Sequence, residues 1–194
     1  MEASLGENTK KLAVILPGIG YTCDRPLLYY SGKLAQGLGW DVVRVPYGGF
    51  PEKVRGDAEK MRQSAEIALA QTEEMLRGID WKQYGQIVFI SKSVGTVAAV
   101  AYAHAHRLSC RHLLFTPVEA TFAVPVGNAI AFHGTADPWV ATETLTRLCR
   151  EADIPLFITE NANHSLETGD LGKDIENLKT VMTRAESFLR AGEE

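Results

Sequence analysis

Residues 87–95, Ile87-Val88-Phe89-Ile90-Ser91-Lys92-Ser93-Val94-Gly95, decide the fold. A short apolar run rich in β-branched residues meets a small-x-Ser-x-Gly turn. Thr96-Val97-Ala98-Ala99-Val100-Ala101-Tyr102-Ala103 comes directly after it and reads as a helix. A strand that turns this sharply into a helix projects the Ser93 hydroxyl away from the sheet. It also places that hydroxyl at a helix N-terminus, where unpaired N–H groups can hold negative charge. Ser91 and Gly95 are small enough for strand and helix to pass close together. Two other uses suit such a turn, the binding of phosphate and the capping of the helix. The residues downstream of the turn decide among these uses.

Three further strand ends carry polar residues. In Ala129-Ile130-Ala131-Phe132-His133-Gly134-Thr135-Ala136-Asp137-Pro138-Trp139-Val140, an apolar strand runs into a Gly-containing loop, then Asp-Pro, then a helix. Asp137 lies past a strand's C-terminal end, where the acid member of a triad belongs. It equally suits the cap of the helix over 142–150, with Pro138 in its first turn. The two roles are compatible, because a cap does not use both carboxylate oxygens. In Leu156-Phe157-Ile158-Thr159-Glu160-Asn161-Ala162-Asn163-His164-Ser165-Leu166, another strand ends in a polar loop with one histidine. Of the five histidines, His104, His106 and His112 fall on or just after the helix behind Ser93 and at the next strand start, and His133 ends a strand. Only His164 lies in a loop beyond Asp137, the place for a general base. Upstream, Lys11-Leu12-Ala13-Val14-Ile15-Leu16 reads as a buried strand that leads into Pro17-Gly18-Ile19-Gly20-Tyr21. In acyl transfer, charge gathers on the former carbonyl oxygen, and two N–H donors there contribute roughly 3–4 kcal/mol each. Val94 N–H is placed to be one donor, and the Gly18-Ile19-Gly20 backbone offers the other, through Ile19. A plain turn or a dinucleotide phosphate loop also fits Gly-x-Gly, but the third glycine of that fingerprint is missing, since position 23 is Cys23.

The chain resembles a small, single-domain serine α/β-hydrolase. The matching pieces are Pro17-Gly18-Ile19-Gly20, Ser91-Lys92-Ser93-Val94-Gly95, His133-Gly134-Thr135-Ala136-Asp137-Pro138 and Asn163-His164-Ser165. The order Ser…Asp…His is that family's order. The resemblance implies Ser93 as nucleophile on its elbow, His164 as base, Asp137 as the orienting acid, and Ile19 and Val94 as the oxyanion hole. It implies hydrolysis of a small carboxylic ester or thioester through an acyl-enzyme, with no metal or organic cofactor. Two positions depart from the pattern: Pro17 replaces a histidine often found before the oxyanion glycine, and Ser91 replaces the first elbow glycine. Dienelactone-hydrolase-like enzymes commonly carry Cys at the elbow, where this chain has Ser93. Gly18, Gly20, Tyr21, Lys92 and Trp139 border these loops as candidate substrate contacts. Lys92 either attracts an anionic substrate or simply packs or faces solvent. Tyr21 and Trp139 either line an acyl or alcohol pocket or are core and rim residues. The competing reading is a non-catalytic binding or scaffold protein on the same fold. Its signature is loss of a triad member, and here all three are present. A nucleotide-binding α/β protein is a further alternative, but the chain has neither a P-loop nor a full dinucleotide fingerprint.

Length, composition and charge agree with this reading. The 194 residues carry 20 Lys and Arg against 24 Asp and Glu, a net charge of −4. The pI is about 5.8 and the mean hydropathy −0.08. One domain spanning 1–194 is expected, with ample material for a core. No Lys/Arg cluster points to nucleic acid. No apolar run approaches the ~20 residues that span a bilayer. The N-terminus, Met1-Glu2-Ala3-Ser4-Leu5-Gly6-Glu7-Asn8, is unlike a secretory leader, so a cytoplasmic location is expected. Cys23, Cys110 and Cys149 are odd in number and widely spaced, which argues against disulfides or a zinc cluster. Cys23 is close enough in sequence to the Gly18–Gly20 loop to line the site.

Apolar runs alternate with amphipathic stretches, which predicts parallel βαβ units. Strands are expected near 11–16, 41–46, 86–91, 112–116, 128–133 and 154–159, and helices near 25–38, 56–77, 94–107, 140–151 and 171–190. Right-handed crossovers then predict a three-layer α/β/α fold with a doubly wound parallel sheet of about six strands, in the order 2-1-3-4-5-6. That is a minimal α/β-hydrolase fold, lacking the first two of the family's usual eight strands. On the second helix Ala58, Met61, Ala65, Leu69, Thr72 and Leu76 are expected to face the sheet. The irregular stretches 46–56 and 116–127 are too short for a cap domain, so an open, shallow site is expected.

Overall fold

The computed structural model describes residues 10–191; the polar stretch Met1–Asn8 lies outside them. Six strands form one parallel sheet: β1 (Lys11–Leu16), β2 (Asp41–Arg44), β3 (Gln86–Lys92), β4 (Arg111–Phe115), β5 (Ala129–Gly134) and β6 (Leu156–Thr159). Their order, β2-β1-β3-β4-β5-β6, is the one the alternation predicts. The central strands β1, β3, β4 and β5 are buried on nearly every residue, as befits a sheet covered on both faces. Helices α1 (Pro26–Gly37) and α5 (Leu171–Arg190) cover one face, packing Leu28, Ala35, Val181 and Ala185 on Ile15, Ile90 and Phe132. Helices α2 (Ala58–Leu76), α3 (Val94–Ala105) and α4 (Thr142–Glu151) cover the other.

Element boundaries reflect local chemistry. β2 stops at Arg44 rather than at position 46: Val45 N–H still donates to Ile15 O at 3.0 Å, but Pro46 has no N–H to continue the ladder. Asp57 and Asp170 accept from Lys60 N–H and Lys173 N–H, capping α2 and α5. The buried face of α2 is centred on Ser64, Ala68, Thr72 and Leu76: Thr72 and Leu76 belong to the stripe expected, while Ser64 and Ala68 take the places of Ala65 and Leu69. Ala58 is exposed and Met61, Ala65 and Leu69 are only half-buried. Ser64 and Thr72 serve as core residues because each hydroxyl donates to the carbonyl four residues back, at 2.7 and 2.8 Å.

The strand order reverses between β1 and β3. In open α/β sheets the crevice beyond the strands' C-terminal ends at such a point is where ligands bind. The Gly18–Tyr21 turn comes after β1 there, Ser93 after β3, and the loops bearing Asp137 and His164 after β5 and β6. No described helix is long and apolar enough to cross a membrane.

Candidate active site

Ser93 joins β3 to α3 with φ 53° and ψ −123°. A non-glycine residue held at positive φ costs about 1–3 kcal/mol and persists only where its surroundings enforce it. The enforcement is visible. Ser93 N–H donates to Phe115 O at 3.1 Å, and Thr96 N–H returns to Ser93 O at 2.9 Å. The start of α3 lies so close to the end of β1 that a Cβ on Gly95 would sit 2.6 Å from Leu16 O. A serine before a helix ordinarily caps it with its hydroxyl, but Ser93 makes no side-chain cap bond. Its Oγ lies instead 2.8 Å from His164 Nε2.

His164 Nδ1 lies 2.7 Å from Asp137 Oδ2. Asp137 is an acceptor, so Nδ1 donates, and Nε2 is left to accept the Ser93 proton. Burial pulls the His164 pKa below its usual value, against the Asp137 hydrogen bond, which raises it. The imidazole is therefore neutral at neutral pH. Asp137 does not cap α4. That helix starts at Thr142 with Ala141 at its cap position, while Asp137 Oδ1 accepts Trp139 N–H at 2.9 Å. One carboxylate oxygen thus holds its own loop and the other holds the histidine. Gly134 makes the approach of the two loops possible: a Cβ there would lie 2.8 Å from Asn163 O. Ala136 N–H donates to Ala162 O at 2.9 Å and ties the loops together.

Gly18 and Tyr21 exchange backbone hydrogen bonds of 3.1 and 3.3 Å, closing a two-residue turn through Ile19 and Gly20. Gly20 has φ +69°, which glycine adopts without strain. Gly18 backs onto Ser93: a Cβ on it would lie 3.1 Å from Ser93 Cβ. Among the described residues, neither Ile19 N–H nor Val94 N–H has a protein acceptor. Trp139 is half-buried, with its ring 5.3 Å from that of His164. Together with Met61, Val94, Val97, Val118 and Val140 it lines a mostly apolar pocket of about 440 Å³.

The structure separates the remaining candidates. Tyr21 is a core residue: it is 7% exposed, and its hydroxyl accepts Leu27 N–H at 3.0 Å. Burial pushes its pKa up to about 12. Lys92 neither faces solvent nor opens onto a substrate, being 1% exposed. Cys23 packs half-buried against the α1–α5 core, and burial pushes its thiol up to about 11. Ser91, the other serine of the turn, is fully buried, and its hydroxyl has no hydrogen-bond partner. The stretch 116–127 forms a 3-10 turn, Glu119–Ala123, held through Thr121 Oγ1 and Thr96 Oγ1 at 2.6 Å. Among the described residues no helical lid covers the site, and Ser93 itself is only 6% exposed. Two residues not singled out from sequence complete it. Thr116 donates from Oγ1 to His164 O at 3.1 Å. His133, fully buried at the end of β5, places Nε2 3.0 Å from Thr142 Oγ1 and Nδ1 3.8 Å from Asp137 Oδ2.

The sequence matches no family model and no curated protein. Solved structures share its architecture over nearly its whole length. Est1E from Butyrivibrio proteoclasticus, with ferulic acid bound, superposes with a TM-score of 0.68 at 11% identity, covering 96% of this chain and 90% of its own. Esterase Pf2001 of Pyrococcus furiosus gives 0.65 at 14% identity, covering 95% and 84%. An alpha-beta serine hydrolase homologue from Coxiella burnetii gives 0.65 at 16% identity, covering 90% and 84%. With the six-stranded order and the serine turn between β3 and α3, these likenesses show that the chain has the α/β-hydrolase fold.

Proposed function

We propose that the protein is a serine hydrolase that cleaves a small carboxylic ester or thioester through a Ser93–His164–Asp137 triad. The observation that carries this reading is the relay itself: Ser93 Oγ to His164 Nε2 at 2.8 Å, and His164 Nδ1 to Asp137 Oδ2 at 2.7 Å. Neutral His164 takes the Ser93 proton as Oγ attacks the carbonyl carbon, and Asp137 stabilises the imidazolium that forms. The carbonyl oxygen becomes an oxyanion, which Val94 N–H and Ile19 N–H receive, aided by the N-terminal end of α3. His164 then passes the proton to the leaving alcohol or thiol, and the acyl group stays on Oγ. In the second half His164 removes a proton from water, the hydroxide adds to the acyl carbon, and the bond to Oγ breaks as His164 returns the proton to Ser93 and the acid leaves.

The pocket beside Val94 and Trp139 supports an apolar acyl or alcohol group on the substrate. Each methylene that enters it contributes about 0.8 kcal/mol. The test is hydrolysis of p-nitrophenyl acetate, butyrate, hexanoate and octanoate, and of matched acyl thioesters, by wild type and Ser93→Ala. Est1E holds ferulic acid, so ethyl ferulate belongs in the panel. The expected result is turnover that rises with chain length until the pocket is full and vanishes in Ser93→Ala. Equal turnover by the variant, at equal folded fraction, contradicts the triad.

A further inference from the structure

Beneath the relay lies a buried lysine that takes no part in the proton transfers. Lys92 Nζ donates to Thr116 Oγ1 at 3.2 Å and lies 4.6 Å from the centre of the Tyr21 ring. Thr116 Oγ1 in turn donates to His164 O at 3.1 Å. One side chain thus touches the loop that bears Ile19 and the end of β4, and reaches the backbone of the base through a single hydroxyl. We propose that Lys92 is a positioning residue: as an ammonium it directs the Thr116 proton onto the His164 carbonyl and holds the base loop against Ser93. This role rests on the hydrolase reading.

Donors and acceptors decide the direction of the chain. A hydroxyl has one proton and two acceptor lone pairs, and an ammonium has three donors and no acceptor. While Lys92 is charged, the contact with Thr116 runs only from Nζ to Oγ1, and the Thr116 proton goes to His164 O. A neutral amine carries a lone pair. The same contact can then run from Thr116 to Nζ, and the His164 carbonyl loses its donor.

The surroundings place that change within the working range of the base. Burial is the dominant influence and pulls the Lys92 pKa down to about 7. Asp137 from the loop after β5 and Glu167 from the loop after β6 favour the ammonium. Tyr21, from the loop after β1, offers its ring face and is neutral. His164 opposes the ammonium when protonated, and the ammonium correspondingly lowers the His164 pKa. The sign for stability is opposite to that for function. Because the folded-state pKa of Lys92 is depressed, the unfolded chain binds the proton more tightly. The penalty grows as pH falls from the ordinary lysine range and is complete below about 7. A merely structural lysine would stabilise the fold; this one costs stability in the form that organises the site.

The test is kcat/KM and kcat from pH 5 to 10 for wild type, Lys92→Met, Thr116→Val and Thr116→Ser, with Tm recorded at pH 6. Wild type should lose activity on an alkaline limb. Lys92→Met should lack that limb, move its acid limb to higher pH and keep or raise Tm at pH 6. Thr116→Val should lose roughly 10- to 100-fold in kcat at acid and neutral pH, as expected when a base is displaced, and should approach wild type on the alkaline side, where the wild-type carbonyl has already lost its donor. Thr116→Ser should restore both rate and limb. Profiles that superpose on wild type overturn the inference, as does a loss in Thr116→Val that only tracks its folded fraction. Should Lys92→Met fail to fold, the two Thr116 variants decide alone. A fluorophosphonate label separates the two levels. If folded wild type takes no label at Ser93, the hydrolase reading fails. If Ser93 is labelled and the profiles do not differ, only the role of Lys92 fails.

Discussion

Two histidines approach a nucleophilic side chain at opposite ends of the same sheet, and only one pair is arranged for chemistry. At the C-terminal end, His164 Nε2 lies 2.8 Å from Ser93 Oγ. At the other end, His112 Nε2 lies 3.5 Å from Cys110 Sγ, just before and at the start of β4. His112 stacks on Phe89 at 5.5 Å, and its Nδ1 has no partner. Burial pulls the His112 pKa down to about 4 and pushes the Cys110 thiol up to about 12. Both groups stay neutral, so no thiolate forms. The upper pair has three things the lower lacks: a carboxylate on the second ring nitrogen, a serine held at positive φ, and a helix N-terminus beside it. Burial without a carboxylate silences a nucleophile–histidine pair, and burial with one leaves a neutral, oriented base.

The largest effect that bears on this contrast is expected from Ser93→Ala, which should lower esterase kcat by roughly 10⁶-fold. Its melting temperature should stay at or above the wild-type value, since the substitution breaks no cap bond. Next comes Asp137→Asn, which should cost about 10⁴-fold in kcat by favouring the wrong imidazole tautomer. A smaller loss of both rate and Tm is expected in Gly134→Ala, because its Cβ collides with the backbone at Ala162 and Asn163. Activity assays paired with thermal melts check all three.

The pH responses of the two ends should differ in kind. In the proposed mechanism His164 is the neutral base, so kcat/KM should fall on an acid limb that lies below pH 6.5. His112 affects stability instead. Its folded-state pKa is depressed, so the stability it provides is present above the unfolded value of 6.5 and is lost as pH falls toward about 4. His112→Phe should flatten the decline of Tm over that range without moving the activity profile. The smallest effect is expected at Cys110. Iodoacetamide at pH 7.5 should leave the folded thiol unmodified and the activity intact, as monitored by peptide mass mapping. Rapid alkylation of Cys110 would show that the two ends are not so different.

Much of this arrangement is legible in the sequence. Alternating apolar and amphipathic runs, together with right-handed crossovers, dictate the strand order, and the three triad candidates are each the polar residue left at a strand's C-terminal end. The parts that are not legible have physical causes. The face of α2 is only half anticipated: Thr72 and Leu76 are buried as expected, but Ser64, which a hydropathy pattern scores as polar, hides its hydroxyl on its own helix and takes the core place given to Ala65. Asp137 is ambiguous between cap and acid until the helix start at Thr142 puts it out of capping reach. The sequence leaves Lys92 open between substrate contact, packing and solvent, and Tyr21 between pocket, core and rim, because the contact between them links the end of β3 to a loop 71 positions away in the chain. Thr116 carries no local signal at all: it matters only through the His164 loop that folds back over it. His133 opens the His-Gly-x-x-Asp run, but nothing in the sequence shows that its ring lies buried against Asp137 and Thr142.

Whether His164 activates Ser93 is decided by labelling with a fluorophosphonate. Wild type, Ser93→Ala and His164→Ala are treated at neutral pH, checked for folding by circular dichroism, and mapped by peptide mass spectrometry. The relay predicts a single adduct, on Ser93, that is absent in the first variant and slowed by several orders of magnitude in the second. A folded wild type that takes no label, or takes it at equal rate without His164, contradicts it.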